Sequence, residues 1–293
     1  MSVRIAHYSD VHVTLDPLRL MTRAFAGKRV MGTLNYYFGN RRAHFREVEQ
    51  RIQTLLEDID TQNVDHAICT GDLTAMSFQE EMSRAAELFG DRRNQPARHT
   101  VLPGNHDRYT QATDEGRLFE QFFASLSSPE GTFPYTKRIA PQVSLVVLDV
   151  CRATSLFDSS GRVGEAQLAA TTRLLSSPEL ANDFVIVALH YALLRKNGQR
   201  DRRSHGIEDD VALLELLSSP SSRVDLVIHG HVHEAYTLLD RHAPIVCAGS
   251  ATDLHQRCGY NVYTIDLGSR HVDLERREYR SDKYEPATTV RLK

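Results

Sequence analysis

The sequence predicts an α/β fold with a mixed β-sheet core. Short apolar runs of strand character alternate with longer stretches whose apolar residues recur at helical spacing. The chain has 293 residues, of which 41% are hydrophobic and 25% charged, as in an ordinary globular protein with a sizeable core. Because no long polar linker separates the alternating elements into groups, we expect a single domain over residues 1–293.

The first half of the chain predicts three strands, each followed by a helix. The strands end at Ser9, Thr70 and Pro103, and the helices begin at about Ala43, Ser77 and Asp114. The first helix shows helical spacing through Phe45, Val48, Ile52, Leu55, Leu56 and Ile59. The second opens with Ser77-Phe78-Gln79-Glu80, which has the Ser-x-x-Glu form of a capping box. We expect the third helix to run to about Leu126.

The second half continues the alternation and ends with closely spaced strands. Strand-like runs cover residues 143–150, 184–189 and 224–228, with helices over 164–176 and 208–217 between them. Three short strands then follow, over 245–248, 262–267 and 272–279. Residues 281–293 are polar, and we expect this tail to be loosely attached.

Residues 17–46 form a basic segment without an acidic residue, which we interpret as a cap-like insertion. Apolar and aromatic residues are interleaved there with Arg19, Arg23, Lys28, Arg29, Arg41, Arg42 and Arg46. Three interpretations remain open. The segment covers a substrate beside Asp10 and His12 and contacts its phosphate through arginine, it lies on an anionic membrane surface, or it is a solvated face whose apolar residues pack inward.

Composition narrows the classes of partner and the cellular compartment. The net charge is −3 and the pI is near 6.5, so no global basic field favours nucleic acid as a partner. The start of the chain lacks the hydrophobic region of a signal peptide, and no apolar run approaches the roughly 20 residues that span a bilayer. The four cysteines form no Cys-x-x-Cys pair and fit buried reduced thiols. We expect a cytoplasmic protein, with a peripheral place at the inner membrane surface as the alternative.

Polar motifs stand directly after five of the predicted strands. They are Asp10-Val11-His12, Gly71-Asp72, Gly104-Asn105-His106-Asp107, His190 and Gly230-His231-Val232-His233. Ligand-binding residues of α/β sheets gather at the carboxyl ends of strands. Unpaired burial of such polar groups is costly. The five motifs therefore predict one metal site.

The residue types favour two metal ions rather than one. Two carboxylates supply the anions that screen a pair of cations, and imidazoles and an amide oxygen fill the remaining positions. The seven candidate ligands are Asp10, His12, Asp72, Asn105, His190, His231 and His233. This number exceeds what one Zn²⁺ uses. Because no thiolate is included, Mn²⁺, Fe and Zn²⁺ fit about equally well.

In this order the motifs resemble those of the calcineurin-like metallophosphoesterase superfamily. The resemblance spans residues 10 to 233 and continues through Gly249-Ser250-Ala251-Thr252. It implies a four-layer αββα sandwich, in which two mixed β-sheets are flanked by helices. It also implies one metal held by Asp10, His12 and His233, and a second held by Asn105, His190 and His231, with Asp72 as the bridge.

The resemblance also assigns residues that are not ligands. His106 matches the residue that faces the substrate, where it would protonate the leaving oxygen or steady the phosphoryl group. Asp107 would orient the neighbouring residues without being a metal ligand itself. His205, after Arg202-Arg203, either lines the substrate pocket or belongs to an exposed basic loop.

The stretch after Asp72 narrows the substrate class. Protein phosphatases of the superfamily carry Gly-Asp-x-x-Asp-Arg-Gly, whereas Leu73-Thr74-Ala75-Met76-Ser77 follows here. The short form is similar to that of the branch with class III cyclic-nucleotide phosphodiesterases. We therefore predict a dinuclear phosphodiesterase acting on a small phosphodiester, of cyclic-nucleotide or glycerophosphodiester type, by in-line attack of a metal-bound hydroxide. The alternatives are a hydrolase of phospholipids or lipid-linked pyrophosphate, a nuclease, and a non-catalytic metal-binding scaffold.

Overall fold

Two six-stranded mixed β-sheets lie at the centre of the computed structural model, which describes residues 1–20, 27–39, 41–128, 130–219 and 222–293. Its strands are β1 (Ser2–Tyr8), β2 (His66–Cys69), β3 (His99–Val101), β4 (Tyr135–Ala140), β5 (Val143–Val147), β6 (Phe184–Ala188), β7 (Val224–His229), β8 (Tyr236–Leu238), β9 (Ile245–Cys247), β10 (Gly259–Asp266), β11 (His271–Arg280) and β12 (Lys283–Arg291). The strand order is β12-β11-β10-β1-β2-β3 in the first sheet and β4-β5-β6-β7-β9-β8 in the second.

The helices of the described residues lie between these strands. They are α1 (Lys28–Phe38), α2 (Arg41–His44), α3 (Val48–Thr61), α4 (Gln79–Phe89), α5 (Gln111–Glu115), α6 (Leu118–Phe123), α7 (Glu165–Leu175) and α8 (Asp210–Ser218). Short 3₁₀ turns cover Pro17–Leu20, Gly90–Asn94, Ala124–Leu126 and Pro178–Leu180. In the described part of the chain, none of the helices has both the length and the apolar character needed to cross a bilayer.

Three apolar cores separate four layers, which confirms the predicted αββα sandwich. Between the sheets, residues of the first sheet such as Ile5 and Tyr263 share a buried core with Leu145 and Ile186 of the second. Outside the first sheet, α3, α4 and α6 contribute Ile52, Leu55, Met82, Phe89 and Phe119. Outside the second sheet, α7 and α8 contribute Leu175, Leu213 and Leu217. Each sheet is thus covered on both faces, which explains why central strands such as β5, β6 and β7 are nearly continuous apolar runs.

Parallel pairing brings the ends of several strands to one edge. β1, β2 and β3 are parallel to one another, as are β5, β6, β7 and β9. Backbone hydrogen bonds then join the loops that follow, from Asp10 N to the Gly71 carbonyl (3.0 Å) and from Gly230 N to the His190 carbonyl (3.0 Å). The five polar motifs consequently meet at one place.

The prediction of a loose polar tail was wrong. Residues 283–291 form β12, the edge strand of the first sheet, paired antiparallel with β11. Tyr284 is buried and donates its hydroxyl hydrogen to the Ala251 carbonyl at 2.8 Å, and Leu292 is buried between the sheets. Polar side chains on an edge strand are a common protection against aggregation, so they do not indicate a detached segment.

Two helix predictions were also wrong in detail. The helix after Ser77 begins at Gln79, and the carboxylate of Glu81, not Glu80, accepts from Met76 N (2.9 Å) and Phe78 N (3.3 Å). The predicted helix over 114–126 is divided into α5 and α6, because Arg117 between them has a left-handed backbone (φ +51°). Strands β4 and β8 were not predicted at all.

The basic segment is largely helical where it is described. Residues 21–26 and 40, including Arg23, lie outside the described residues. In α1, Gly32, Thr33 and Tyr36 are buried, whereas Met31, Leu34 and Phe38 are exposed. Its first two residues face the protein, since Lys28 donates to Thr154 and to the Asp158 carbonyl and Arg29 donates to the carbonyls of Met76 and Ser77. α1 therefore lies against the loops near the polar motifs.

Candidate metal centre

All seven predicted ligands come together at the edge where the strands end. Six of them are buried residues, and the side chain of His233 is 25% exposed. The first sheet brings Asp10, His12, Asp72 and Asn105 on the loops after β1, β2 and β3, and the second brings His190, His231 and His233 on the loops after β6 and β7. The site thus joins the two sheets.

One group of ligand atoms surrounds the end of β1. The Nε2 atoms of His12 and His233 are 2.9 Å apart, and Asp10 Oδ1 lies 3.9 Å from the first and 3.6 Å from the second. Asp10 Oδ1 is itself buried and receives no hydrogen bond. Its carboxylate is held by the other oxygen, which accepts from His231 N at 2.9 Å.

A second group lies beside the first. Asn105 Oδ1 is 3.1 Å from His190 Nε2 and 3.0 Å from His231 Nδ1. Asp72 lies between the groups, because its Oδ2 is 3.4 Å from His190 Nε2 and 3.6 Å from His12 Nε2. Its Oδ1 accepts from His106 N at 2.8 Å, which fixes the orientation of the carboxylate.

The ring nitrogen that points away from the centre has an acceptor in each of the four histidines. Nδ1 of His12 faces the Thr74 carbonyl (3.2 Å), and Nδ1 of His190 faces the Thr70 carbonyl (2.7 Å). His231 uses Nε2 toward the His205 carbonyl (2.9 Å), and His233 uses Nδ1 toward Asp253 (2.9 Å). Such partners hold the hydrogen on the outer nitrogen and leave the inner one free to bind a metal.

These residues fit a pair of divalent ions. Ligand atoms about 2.1 Å from one ion lie about 3–4 Å from each other, which is the range observed in both groups. Two facing imidazole nitrogens and an unpaired buried carboxylate oxygen are also the arrangement that a shared cation stabilises. The donor atoms are oxygen and nitrogen only, which suits Mn²⁺, Fe or Zn²⁺.

Burial and the central carboxylates set the charge states of the histidines. Burial lowers the pKa of His12 and of His231 well below the ordinary value, so both rings are neutral, the form that binds metals. Burial also lowers the pKa of His190, but the adjacent Asp72 carboxylate outweighs it and raises that pKa to about 9. The same negative field attracts cations to this position.

The backbone is strained where it presents the ligands. Asp10, His12, Asp72, His231 and His233 all have left-handed backbones, with φ between +46° and +71°. Residues other than glycine adopt this region rarely and at a cost of about 1–3 kcal/mol where the surroundings enforce it. Five of the seven predicted ligands share this conformation, so the surrounding structure must hold the ligand loops in place.

Two glycines of the motifs allow the loops to approach each other. A Cβ atom on Gly104 would lie 2.1 Å from Asp72 Oδ1, and one on Gly230 would lie 1.8 Å from Ser9 Oγ and 2.5 Å from Asp10 Oδ2. Any larger residue would therefore displace a central carboxylate. Glycine precedes Asn105 and His231 because a residue without a Cβ atom leaves room for the neighbouring carboxylates.

His106 and Asp107 occupy different positions beside the centre. His106 is partly exposed, and its Nδ1 donates to the Ala75 carbonyl (2.6 Å), which leaves Nε2 as the free ring nitrogen. Burial lowers its pKa to about 3. Asp107 is buried and accepts from Leu73 N (3.1 Å), Thr74 N (2.9 Å) and Gly104 N (2.9 Å). Burial raises its pKa to about 7 despite these donors.

His205 lies at the rim of the second group. Its side chain is 43% exposed, its Nδ1 is 2.9 Å from Asp201 Oδ2, and its ring is 4.3 Å from the ring of His231. Through its carbonyl it also orients His231. The residue is thus on an exposed basic loop and next to the centre, and its place in a substrate pocket stays a prediction.

Sequence reasoning did not single out two residues at the site. Asp253 holds His233 and follows Gly249-Ser250-Ala251-Thr252, the last strand end that the motifs indicated, so its position was a usable signal. Arg41 places a guanidinium nitrogen 3.2 Å from His12 Nδ1. It was one of seven basic residues in its segment, and nothing in the sequence distinguished it.

Comparison with known protein families agrees with this geometry. The model of the family described as calcineurin-like phosphoesterase matches residues 3–235, which include all seven candidate ligands. The chain belongs to the calcineurin-like phosphoesterase family. The match confirms the predicted superfamily. Members of this family hydrolyse phosphoesters and depend on two metal ions.

Solved structures share the fold at low sequence identity. A dimetal phosphatase from Danio rerio is 14% identical with a TM-score of 0.68, covering 99% of this chain and 98% of that one. GAP50, the anchor in the inner membrane complex of Plasmodium, is 12% identical with a TM-score of 0.59, covering 99% of this chain and 88% of that one. A search of curated protein sequences finds no match.

Replacing Gly104 by alanine is expected to disrupt the centre, because the new Cβ atom displaces the Asp72 carboxylate. We expect Gly104→Ala to bind fewer than two Mn²⁺ ions per chain and to lose about 1–3 kcal/mol of unfolding free energy. Metal analysis after dialysis and urea denaturation measure both. Gly268→Ala is the control, since its nearest neighbour would lie at an ordinary 3.6 Å. Two ions and unchanged stability in Gly104→Ala would contradict the assigned packing.

Proposed function

We propose that the protein is a dinuclear metal-dependent phosphodiesterase acting on a small phosphodiester, of cyclic-nucleotide or glycerophosphodiester type. The observation that carries the proposal is the position of Asp72 Oδ2 between two groups of ligand atoms, 3.4 Å from His190 Nε2 and 3.6 Å from His12 Nε2. Two ions bound there would supply a nucleophile from water and neutralise the charge that develops on the phosphoryl group.

The surrounding residues would position the substrate. Asp10, His12 and His233 would hold one ion, Asn105, His190 and His231 the other, and Asp72 both. The free Nε2 of His106 carries no hydrogen in the neutral ring, since Nδ1 donates to the Ala75 carbonyl. It would take up a proton beside the negative phosphoryl group and then steady that group or pass the proton to the leaving oxygen. Asp107 would keep the loops of Asp72 and Asn105 together. His205 would line the substrate side of the second group.

The loop after Asp72 supports a diester of small size. Ala75-Met76-Ser77 stands in place of the Asp-Arg-Gly sequence of protein phosphatases, and the Ala75 carbonyl accepts a hydrogen bond from His106. The preceding Leu73 and Thr74 donate their backbone hydrogens to Asp107. The loop is thus used to orient the neighbouring motif and offers no arginine to a phosphorylated protein. This favours the branch with class III cyclic-nucleotide phosphodiesterases.

Hydrolysis of two chromogenic esters tests the proposed reaction. We expect Mn²⁺-loaded protein to hydrolyse bis-p-nitrophenyl phosphate faster than p-nitrophenyl phosphate, and a chelator to abolish both rates, because the ions supply the nucleophile. A faster monoester rate would overturn the diesterase assignment. Two bound ions without hydrolysis of either ester would favour the alternatives, a selective lipid-type pocket or a scaffold.

Replacing His106 tests its assigned role. We expect His106→Ala to lower kcat by about 100-fold or more, the usual effect of losing a positioned proton-transfer group. Metal content should stay near two ions per chain, since His106 is placed outside the ligand set. The control is His271→Ala, an exposed histidine on β11 near the amino end of β1, away from the site. Retained turnover in His106→Ala would refute the role.

A second candidate is a phospholipid or lipid-linked pyrophosphate hydrolase at an anionic membrane surface. The observation that favours it is the exposed face of α1, where Met31, Leu34 and Phe38 are 40%, 46% and 84% exposed. These positions lie on one side of the helix, and the basic residues Arg19 and Arg42 are exposed in the same segment. An apolar stripe beside basic residues suits an anionic lipid surface.

Vesicle binding tests this second candidate. If α1 inserts into lipid, the doubly substituted protein Leu34→Ser/Phe38→Ser should bind vesicles of phosphatidylserine and phosphatidylcholine less tightly than the unchanged chain in a sedimentation assay. The control is Val211→Ser, which replaces an exposed apolar residue on α8, outside the second sheet. Absence of vesicle binding by the unchanged chain would reject the candidate.

A further inference from the structure

Arg41 is a cation beside the metal centre on which the carboxylates of Asp72, Glu81 and Asp253 act only from beyond ion-pair distance. Among the described residues it makes no ion pair, and its Nε atom is buried without a hydrogen-bond partner. Its guanidinium lies over the Phe45 ring, 5.5 Å from the ring centroid, and one terminal nitrogen is 3.2 Å from His12 Nδ1. An unpaired charge held in a partly buried position is costly unless a ligand compensates it.

Metal binding would remove the acceptor that Arg41 has among the described residues, which is His12 Nδ1. His12 Nδ1 either accepts a hydrogen from Arg41 or donates its own to the Thr74 carbonyl at 3.2 Å. When Nε2 is a metal ligand, the ring hydrogen is on Nδ1 and is donated to Thr74. Nδ1 can then accept nothing, so the hydrogens of Arg41 are left for another acceptor.

The guanidinium is held beside the groups that would act on the substrate. Phe45, on which it lies, also contacts the His12 ring edge-on, with centroids 5.1 Å apart, and the His12 ring is 4.9 Å from that of His106. Arg41 is thus fixed next to the first group of ligands and close to the residue assigned to the leaving oxygen. The guanidinium lies on the outer, Nδ1 side of His12, so its donors would meet an anion at the rim of the centre.

The other described cations of the basic segment differ in this respect. Lys28 donates to Thr154 and to the Asp158 carbonyl, and Arg29 donates to the carbonyls of Met76 and Ser77. Arg42 and Arg46 are exposed, and Arg46 lies 3.9 Å from Glu47. Arg41 alone of these residues is directed at a predicted metal ligand.

We propose that Arg41 binds the phosphoryl group of the substrate, donating its guanidinium hydrogens to the non-bridging oxygens while these face the metal ions. A planar guanidinium matches two oxygens of a phosphoryl group better than a point charge does. This inference rests on the proposed function, because it requires that a phosphoryl group occupies the centre. It makes Arg41 the residue through which the basic segment contacts substrate.

Binding of inorganic phosphate to the Mn²⁺-loaded protein tests the proposal directly. We expect Arg41→Met to weaken phosphate binding in titration calorimetry by about 10- to 100-fold, as when a charge-assisted hydrogen bond is lost. Arg41→Lys should recover part of the loss, since it restores the charge without the fork of donors. Arg42→Met is the matched control. It removes the same charge from an exposed neighbour on the same helix and should bind phosphate like the unchanged chain.

Metal content and hydrolysis separate the failure of this inference from that of the proposed function. All three variants should keep two ions per chain. Equal phosphate affinity in Arg41→Met and Arg42→Met would overturn the role of Arg41, and so would loss of metal from both Arg41 variants, which would make Arg41 a support of the centre. A chain that binds phosphate through Arg41 but hydrolyses no phosphoester would support the inference and reject the proposed function.

Discussion

The geometry of the site depends on the hydrogen bonds that the Asp107 carboxylate accepts. It is buried, so it requires several donors, and it takes backbone hydrogens from Leu73, Thr74 and Gly104. These donors belong to two different strand-end loops, which the single side chain therefore ties together. Asp72 lies between these loops. Its Oδ1 accepts a hydrogen bond from His106 N, and its Oδ2 faces His12 and His190.

The two central carboxylates create a second constraint, which concerns charge. Asp10 and Asp72 are both buried at the same place, and burial raises the pKa of Asp10 because its charged form is poorly solvated. Bound cations would offset the cost of burying these carboxylates and would be coordinated by ligands from both sheets. Bound metal would therefore join the loops of β1, β2 and β3 to those of β6 and β7, so metal affinity and the stability of the sandwich are linked. The strained backbones of the ligand loops belong to the same arrangement.

The sequence was informative where function places unusual residues at strand ends. Polar motifs after apolar runs singled out the seven candidate ligands that the structure brings together, and the order of these motifs carried the resemblance from which the layered fold was predicted. It was uninformative where the partner is distant along the chain. The polar strand β12 is held by pairing with β11, Tyr284 donates to the Ala251 carbonyl 33 residues away, and Arg41 contacts His12. Pairings of this kind are set by packing and leave no periodic signal.

The basic segment shows that sequence patterns also fail to predict which charged residues have partners. Its seven cations are equivalent in the sequence, but hydrogen-bond partners distinguish those that the structure describes. Lys28 and Arg29 give their hydrogens to nearby carbonyl and hydroxyl oxygens, which uses them to hold α1 against the loops. Arg41 is different, because its acceptor is a histidine nitrogen that a metal ion would convert into a donor. The charge of the segment as a whole therefore says less about anion binding than the partner of each cation does.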